Sequence, residues 1–272
     1  MNVLATSSEQ SIKLLQLTDT HLFAPDDGHL LSVKTADSFH AVIAAILESQ
    51  YDFDAILATG DISQDHSHES YKKFERGIMP LKKPCFWLPG NHDDQPQMGS
   101  IFPSEQIQSV QHVLLGEHWQ MLLLDSQVMG VPHGRLSSEQ LALLDNALRD
   151  YPNRYALVLL HHHPLLVGSA WLDQHSLKES DSFWQIVEQH QNVRAVLCGH
   201  IHQEMDRLRG DVRVLATPST CVQFKPQSHD FALDRQSPGW RELDLHPDGT
   251  LHTQVKRLPR GHFLPDFNAS GY

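Results

Sequence analysis

The segment IKLLQLTDTHLF, residues Ile12 to Phe23, joins an apolar run to a short polar cluster. A short, nearly continuous apolar run of this kind is typical of a buried strand. Asp19 and His21 follow the run two residues apart, so in an extended backbone both side chains would project to the same side. The segment therefore predicts a buried strand that ends in a pair of side chains able to do chemistry.

Apolar runs and helical patterns alternate along most of the chain. After the first run, TADSFHAVIAAILESQ places Phe39, Val42 and Ile46 on one helical face, with Thr35 as the expected N-cap. Further predicted strands are DAILATGD, PCFWLPGN, WQMLLLDS, YALVLLH and VRAVLCGH. Further predicted helices are SHESYKKFERGIMPL, SSEQLALLDNALRDY and SDSFWQIVEQH. GWRELDLHPDGTLHTQV predicts a hairpin. The alternation indicates an α/β protein.

Composition limits the class of protein. With 272 residues and no linker-like tract, the chain is expected to form one domain over residues 1–272, with a core of about residues 12–257 and short tails. A net charge of -12 disfavours nucleic acid as a partner. Cys85, Cys198 and Cys221 are odd in number and far apart, which suits a reducing cytoplasm. No signal peptide or membrane span is visible, so a cytoplasmic protein is expected; the oligomeric state stays open.

Polar side chains recur where the predicted strands end. Ligands of open α/β sheets bind beyond the carboxyl ends of the strands, so five separate segments deliver such residues to one edge. These residues are Asp19, His21, Asp61, Asn91, His92, His161, His200 and His202. Each motif alone has an ordinary interpretation, because a strand-end Asp often caps a helix or turn and Gly-Asn often forms a turn. Together, in this order, they indicate a metal site.

The order D-x-H, G-D, G-N-H-D, a strand-ending H and G-H-x-H resembles the calcineurin-like metallophosphoesterases, from about Ile12 to about Val255. The segments LLQLTDTHLF, HHHPL, WLDQHSL, LCGHIHQE and LATPSTCVQFKP are most similar to the bacterial class III cyclic-AMP phosphodiesterases. The resemblance implies an α/β sandwich of two mixed sheets flanked by helices, in αββα layers. It also implies hydrolysis of 3′,5′-cyclic AMP to 5′-AMP by in-line attack of a metal-bridging hydroxide, which lowers cellular cyclic AMP.

The resemblance further assigns a dinuclear metal centre. One divalent ion is expected on Asp19, His21, Asp61 and His202, and the other on Asp61, Asn91, His161 and His200, with Asp61 shared. Imidazole, carboxylate and amide ligands without thiolate favour Fe(II) or Mn(II), with Zn(II) also suitable, over Ca(II). Two such ions, two aspartates and one hydroxide leave a net charge of about plus one, which a monoanionic phosphodiester neutralises.

The same resemblance assigns the residues around the substrate. Substrate binding is expected at His21, Asp61, Asn91, His92 and His202. His92 matches the family's non-ligand histidine and is the predicted catalytic residue, a general acid or charge stabiliser for the leaving ribose oxygen. Whether Asp93 or Asp94 orients the His92 ring or belongs to a solvated turn stays open at this stage.

The triplet His161–His163 and the later loops leave further alternatives. The ligand maps to His161. Pro164 favours extended backbone before it, so His162 is expected to face the other way and pack. Whether His163 reaches the cleft stays open. Cys221, Gln223 and Phe224 are candidates for a base pocket or for plain loop packing, and Trp171 and His175 for a lid. Competing functions are a nucleotidase, a nuclease, a nucleotide-lipid pyrophosphatase and a non-catalytic scaffold. The complete ligand pattern disfavours the scaffold.

Overall fold

The computed structural model describes residues 2–4 and 10–271. Its larger sheet has seven strands. In spatial order they are β1 (Asn2–Leu4), β8 (His112–Leu115), β9 (Trp119–Leu123), β11 (Tyr155–Leu159), β13 (Val193–Cys198), β15 (Val212–Ala216) and β14 (Met205–Arg209). The strands from β9 to β15 in this order pair parallel, β8 is antiparallel to β9, and β14 is antiparallel to β15.

The second large sheet has six strands and contains the segment that opens the chain's first motif. In spatial order they are β17 (Leu251–Arg257), β16 (Gly239–Leu245), β2 (Ile12–Leu17), β5 (Ala55–Ala58), β6 (Cys85–Trp87) and β7 (Ile107–Gln108). β2, β5, β6 and β7 pair parallel, whereas β16 is antiparallel to both β2 and β17. Two small pairs complete the strands, β3 (His29–Leu30) with β4 (Val33–Lys34) and β10 (Gly134–Arg135) with β12 (Leu177–Lys178).

The helices are α1 (Thr35–Ser49), α2 (His68–Ile78), α3 (Gln95–Ile101), α4 (Ser138–Asp150), α5 (Ala170–Asp173) and α6 (Ser180–Gln189), with a 3₁₀ turn at Met79–Leu81. Thr35 is the first helical residue of α1 and not its N-cap, because Lys34 occupies the cap position. Ser137 caps α4 by accepting from the Gln140 N–H at 3.3 Å. Over residues 2–4 and 10–271, we find no helix with the length and apolar character needed to cross a bilayer.

The two sheets pack face to face, and helices cover their outer faces. Adjacent residues of β5 show the layering, since Leu57 lies in the core between the sheets while Ile56 contacts the core beneath the helices. α1, α2 and α3 cover the six-stranded sheet, and α4 and α6 cover the seven-stranded sheet. Because the central strands are buried on both faces, their sequences are continuous apolar runs. The αββα prediction is confirmed.

Candidate metal centre

The predicted donor residues lie in the loops that follow five strands of the two sheets. They follow β2 (Asp19 and His21), β5 (Asp61), β6 (Asn91), β11 (His161) and β13 (His200 and His202). All are buried except Asn91, which is half-buried. The Asp and His donor atoms, together with those of His92, form three overlapping groups within 4.8 Å, namely Asp19–His21–His202, Asp61–His161–His200 and His21–Asp61–His92. The structure therefore brings the strand-end residues of both sheets to one buried place.

Asp61 lies between two of these groups. His161 Nε2 is 3.3 Å from Asp61 Oδ2, and His21 Nε2 is 3.9 Å from the same oxygen. On the other side, His202 Nε2 is 3.3 Å from Asp19 Oδ1 and 3.1 Å from His21 Nε2. Asp61 therefore lies close to a histidine of each group, and so does Asp19, whose Oδ1 is also 4.0 Å from His161 Nε2.

The backbone at the donors is not extended, contrary to the argument from residue spacing. Five of the predicted donors have left-handed backbone, namely Asp19 (φ 53°), His21 (φ 46°), Asp61 (φ 51°), His200 (φ 69°) and His202 (φ 47°). This conformation is uncommon for residues other than glycine, and its clustering is typical of functional sites. Asp19 and His21 come together because the chain turns sharply at both residues, whereas His200 and His202 belong to different donor groups.

Three of the histidines have one ring nitrogen fixed by a hydrogen bond. The acceptors are Gln64 Oε1 for His21 Nδ1 at 2.6 Å, the Thr59 carbonyl for His161 Nδ1 at 2.7 Å and the Val222 carbonyl for His202 Nδ1 at 2.8 Å. Donation from Nδ1–H leaves the lone pair on Nε2, and it is Nε2 that faces the carboxylates. These supporting groups were not predicted, because main-chain carbonyls leave no sequence signature. Gln64, three residues after Asp61, is the one partner among these three whose side chain makes the bond and could be noticed in the sequence.

Buried donor atoms without partners test whether the residues fit a metal. His200 Nε2 and Asn91 Oδ1 are buried and accept no hydrogen bond from any described residue. An unsatisfied buried polar atom costs about 1–3 kcal/mol, so two beside paired carboxylates indicate a ligand that the protein itself does not supply. Imidazole nitrogen, amide oxygen and carboxylate oxygen together are ligands of divalent transition metals. The residues fit a dinuclear metal centre.

The protonation states in the cluster agree with this fit. Burial raises the pKa of Asp61, but the His161 and His92 rings outweigh burial and hold that pKa well below its usual value. Burial lowers the pKa of His21 to about 3, so its lone pair is available. Burial also lowers the pKa of His161, but the Asp61 carboxylate outweighs it and raises that pKa to about 9. A cation bound at His161 and Asp61 therefore displaces a proton.

The calcineurin-like phosphoesterase family model matches residues 12–204. The chain belongs to this family. It is 62% identical to the 3′,5′-cyclic adenosine monophosphate phosphodiesterase CpdA of Vibrio vulnificus, over 98% of this chain and 97% of that protein. It is 51% identical to the protein of the same name from Escherichia coli strain K12, over 99% and 98%. A dimetal phosphatase structure from Danio rerio matches with a TM-score of 0.63 at 13% identity, over 92% of this chain and 100% of that chain, which supports the fold alone.

Glycines precede several donors of this phosphoesterase because another strand's carboxylate occupies the space that a side chain would need. A Cβ at Gly90 would overlap the carboxylate and the main-chain nitrogen of Asp61. A Cβ at Gly199 would overlap the Thr18 hydroxyl and approach Asp19 Oδ2 to 2.9 Å. The Gly-Asn and Gly-His motifs are therefore packing requirements of the donor cluster, beyond their turn-forming role.

Gly90→Ala is expected to weaken metal binding about 10- to 100-fold, the range seen when groups supporting a ligand are changed, because Asp61 must move. Titration of metal-free protein with Mn(II), followed by calorimetry, measures the change. Gly99→Ala is the control, since a Cβ there meets no atom within 4 Å. Equal Mn(II) affinity in Gly90→Ala and Gly99→Ala would show that Asp61 is not held by this close approach.

The other two histidines of the triplet lie beside the donor cluster. His162 is buried, its Nδ1 is hydrogen-bonded to Ser126 Oγ at 2.8 Å, and its ring packs 4.8 Å from that of His200. His163 is also buried, stacks on His200 at 5.6 Å and lies 3.6 Å from Asp173 Oδ1. Neither belongs to the three donor groups found among the described residues. Both rings pack against the His200 ring, and the His162 hydrogen bond goes to Ser126, outside the donor groups.

The carboxylates after Asn91 bond mainly to the backbone. Asp93 accepts from the N–H groups of Gly90, Ile62 and Ser63 at 2.9–3.0 Å, and Asp94 accepts from Gln97 N at 3.0 Å at the start of α3. Burial, followed by the nearby Asp61 charge, raises the pKa of Asp93 to about 7. Both aspartates shape the loop that carries His92.

A cavity of about 680 Å³ opens beside the donor cluster. Asn91, His92 and His200 are among the residues that line it, and so are Trp171 and Phe231. Phe224 also lines it but is buried, and its ring stacks on His202 at 4.2 Å. Trp171 and His175, the candidate lid residues, both lie on the wall. Cys221 is buried and, like Gln223, is outside the lining of this cavity.

Proposed function

We propose that this phosphoesterase hydrolyses 3′,5′-cyclic AMP to 5′-AMP at a dinuclear metal centre. The observation that carries the proposal is a single cavity lined both by proposed metal-binding side chains and by half-buried aromatic rings. A cyclic nucleotide offers a partner for each, because it joins a charged phosphate to a flat apolar base. The Vibrio and Escherichia relatives, which are named as phosphodiesterases of 3′,5′-cyclic adenosine monophosphate, support the same substrate.

The metal ligands we propose are the two sets that share Asp61. Asp19, His21, Asp61 and His202 hold one cation, and Asp61, Asn91, His161 and His200 hold the other. Fe(II) or Mn(II) suits this ligand set best, with Zn(II) also suitable, because it is rich in nitrogen and oxygen and has no thiolate. Such a pair of cations stabilises charge on phosphoryl oxygens and lowers the pKa of an attacking water.

The remaining chemistry belongs to the side chains. The proposed substrate-binding residues are His21, Asp61, Asn91, His92 and His202, which face or adjoin the cavity. We propose that His92 donates the proton that the departing O3′ needs, because an alkoxide is a poor leaving group. Its ring is half-buried on the cavity wall and packs edge-on against His21 at 5.1 Å. The ring therefore faces the cavity beside a proposed metal ligand.

We propose that the base stacks near Trp171 and Phe231, whose rings lie 5.1 Å apart at the cavity. Phe231→Ala is expected to raise KM for cyclic AMP about 5- to 100-fold, since losing one base–aromatic stack costs ~1–3 kcal/mol. kcat should change little, because the stack forms equally in the ground and transition states. Steady-state kinetics measures both constants.

Leu208→Ala is the control for this prediction, since that side chain is 71% exposed on β14. An unchanged KM in Phe231→Ala, or a loss confined to kcat, would contradict base stacking at this wall.

Composition and packing support proposals for the compartment, the substrate class and the domain organisation of the enzyme. We propose a cytoplasmic enzyme, because Cys85, Cys198 and Cys221 are buried free thiols. A small-molecule substrate, not nucleic acid, agrees with the charge of -12. We also propose that the chain works as one domain, since a shared core joins the two sheets.

The proposal is tested with purified protein stripped of metal and reloaded with Mn(II) or Fe(II). The substrates are cyclic AMP, cyclic GMP, 5′-AMP and a UDP-linked lipid precursor. We expect metal-dependent conversion of cyclic AMP to 5′-AMP with no phosphate release. Phosphate release from 5′-AMP with cyclic AMP left intact would support a nucleotidase and overturn the diesterase.

A further inference from the structure

Gln127 lies in the loop after β9 of the seven-stranded sheet and reaches the loop after β6 of the other sheet. Its side-chain amide Nε2 donates two hydrogen bonds, to the Gly90 carbonyl at 2.6 Å and to the Asp93 carbonyl at 2.5 Å. These two carbonyls stand on either side of Asn91 and His92. One side chain therefore closes the loop that carries the proposed proton donor.

Besides the bonds of the Asp93 and Asp94 carboxylates, two backbone N–H groups anchor this loop next to His92. The Asp93 N–H donates to the Gly90 carbonyl at 3.3 Å, and the His92 N–H donates to Asp61 Oδ1 at 2.8 Å. The first bond closes the turn at 90–93, and the second ties its backbone to the bridging carboxylate. The Gln127 amide joins both ends of this turn to the opposite sheet, so it limits how far His92 moves relative to the cavity.

Gln127 is itself held in place. Its backbone N–H donates to Asp125 Oδ1 at 2.9 Å, and the Asp125 N–H donates to Gln140 Oε1 on α4 at 2.9 Å. The other Asp125 oxygen accepts from Gln95 Nε2 at 2.7 Å. Hydrogen bonds thus hold the Gln127 backbone in place. Precise proton transfer requires groups held within about 0.5 Å of the productive geometry.

We propose that Gln127 is a positioning residue for His92. The proposal rests on the function proposed above for His92 as the proton donor to O3′. The side chain has to be an amide, because a carboxylate has no N–H to donate and would face two carbonyl oxygens. The two hydrogen bonds of the Gln127 amide go to the Gly90 and Asp93 carbonyls and not to a side chain of a predicted metal ligand, so its effect should follow the proton donor.

The test combines a double-mutant cycle with two substrates. Gln127→Ala is expected to lower kcat for cyclic AMP roughly 10- to 100-fold, as for other supporting groups, with KM nearly unchanged. The loss should be several-fold smaller for bis(4-nitrophenyl) phosphate, whose leaving group needs no proton. In a His92→Ala background the same change should cost little, because residues acting through one group are not additive. Gln127→Glu should behave like Gln127→Ala.

Gln106→Ala is the matched control, because Gln106 Nε2 also donates to two carbonyls, those of Ile78 and Lys83, away from the cavity. It should leave kcat and the ratio of the two substrates unchanged. Hydrogen exchange gives a readout independent of turnover: peptides covering residues 88–94 should exchange faster in Gln127→Ala but not in Gln106→Ala. Metal content should stay at the wild-type level in all these variants.

The outcomes separate the two proposals. The role of Gln127 alone is overturned by two results together. The kcat loss in His92→Ala depends on the leaving group, but the kcat loss in Gln127→Ala is equal on both substrates or adds to that of His92→Ala. A His92→Ala loss equal on both substrates overturns the proton-donor function and the positioning role with it. Unchanged exchange of residues 88–94 in Gln127→Ala also overturns the positioning role.

Discussion

Asp61→Ala is expected to lose bound metal and cyclic-AMP hydrolysis together, with kcat falling by roughly 10³-fold or more. Asp61 contacts a histidine of each donor group, so its removal takes a ligand from both proposed cations. Metal-ion catalysis supplies several kcal/mol of transition-state stabilisation, and each ~1.4 kcal/mol is a factor of ten. Metal content by mass spectrometry and turnover on the same sample measure the effect.

His162→Gln is the control for this prediction, because His162 is a buried neighbour of the cluster outside the donor groups. It should keep both metals and most activity, and thermal melting should show both variants folded at the assay temperature. Full activity in Asp61→Ala would contradict the shared carboxylate. Loss of bound metal from folded His162→Gln would contradict the choice of His161 within the triplet.

His92→Ala is expected to keep both metals while kcat for cyclic AMP falls ~10²–10⁴-fold, the range for losing a general acid. The substitution removes the ring but preserves the backbone N–H that donates to Asp61 Oδ1, so the Asp61 carboxylate keeps this bond. bis(4-nitrophenyl) phosphate, with a leaving group that needs no proton, should lose much less. Parallel kinetics on the two diesters measures the difference.

The dependence of the kcat loss on the leaving group decides the role of His92. A kcat loss of equal size on the two diesters would indicate that His92 binds or orients the phosphate instead of supplying a proton. Loss of one metal from His92→Ala would indicate a ligand role, which the His21–Asp61–His92 group makes sterically accessible.

Much of the fold follows from sequence because hydrophobic burial imposes its period on the chain. Strands such as β2, β5, β11 and β13 are covered on both faces, so they are apolar throughout and stand out. Short strands at the sheet edges, such as β1 and β14, do not. β14 has one buried residue and three exposed ones among its five, so its sequence carries no continuous apolar run that would set it apart from a loop.

The clustering of the strand-end Asp and His residues could be predicted, but their local geometry could not. Asp19 and His21 meet through left-handed backbone, a conformation set by the packing of the loop and invisible in the spacing. The Thr59 and Val222 carbonyls that fix two histidine rings belong to residues whose side chains carry no signal. Gln127 is 35 residues from His92 in sequence and adjoins it only because the two sheets pack together.

The measurement that tests the central claim most directly is cyclic-AMP cleavage by the metal-loaded protein in water enriched in heavy oxygen. Attack at phosphorus with departure of O3′ predicts 5′-AMP as the only product, with one heavy oxygen on its phosphate and none on the ribose. Mass spectrometry of the nucleotide and of its fragments locates the label. Heavy oxygen on the ribose, 3′-AMP as a product, or intact cyclic AMP in metal-loaded protein would contradict hydrolysis of the diester at this centre.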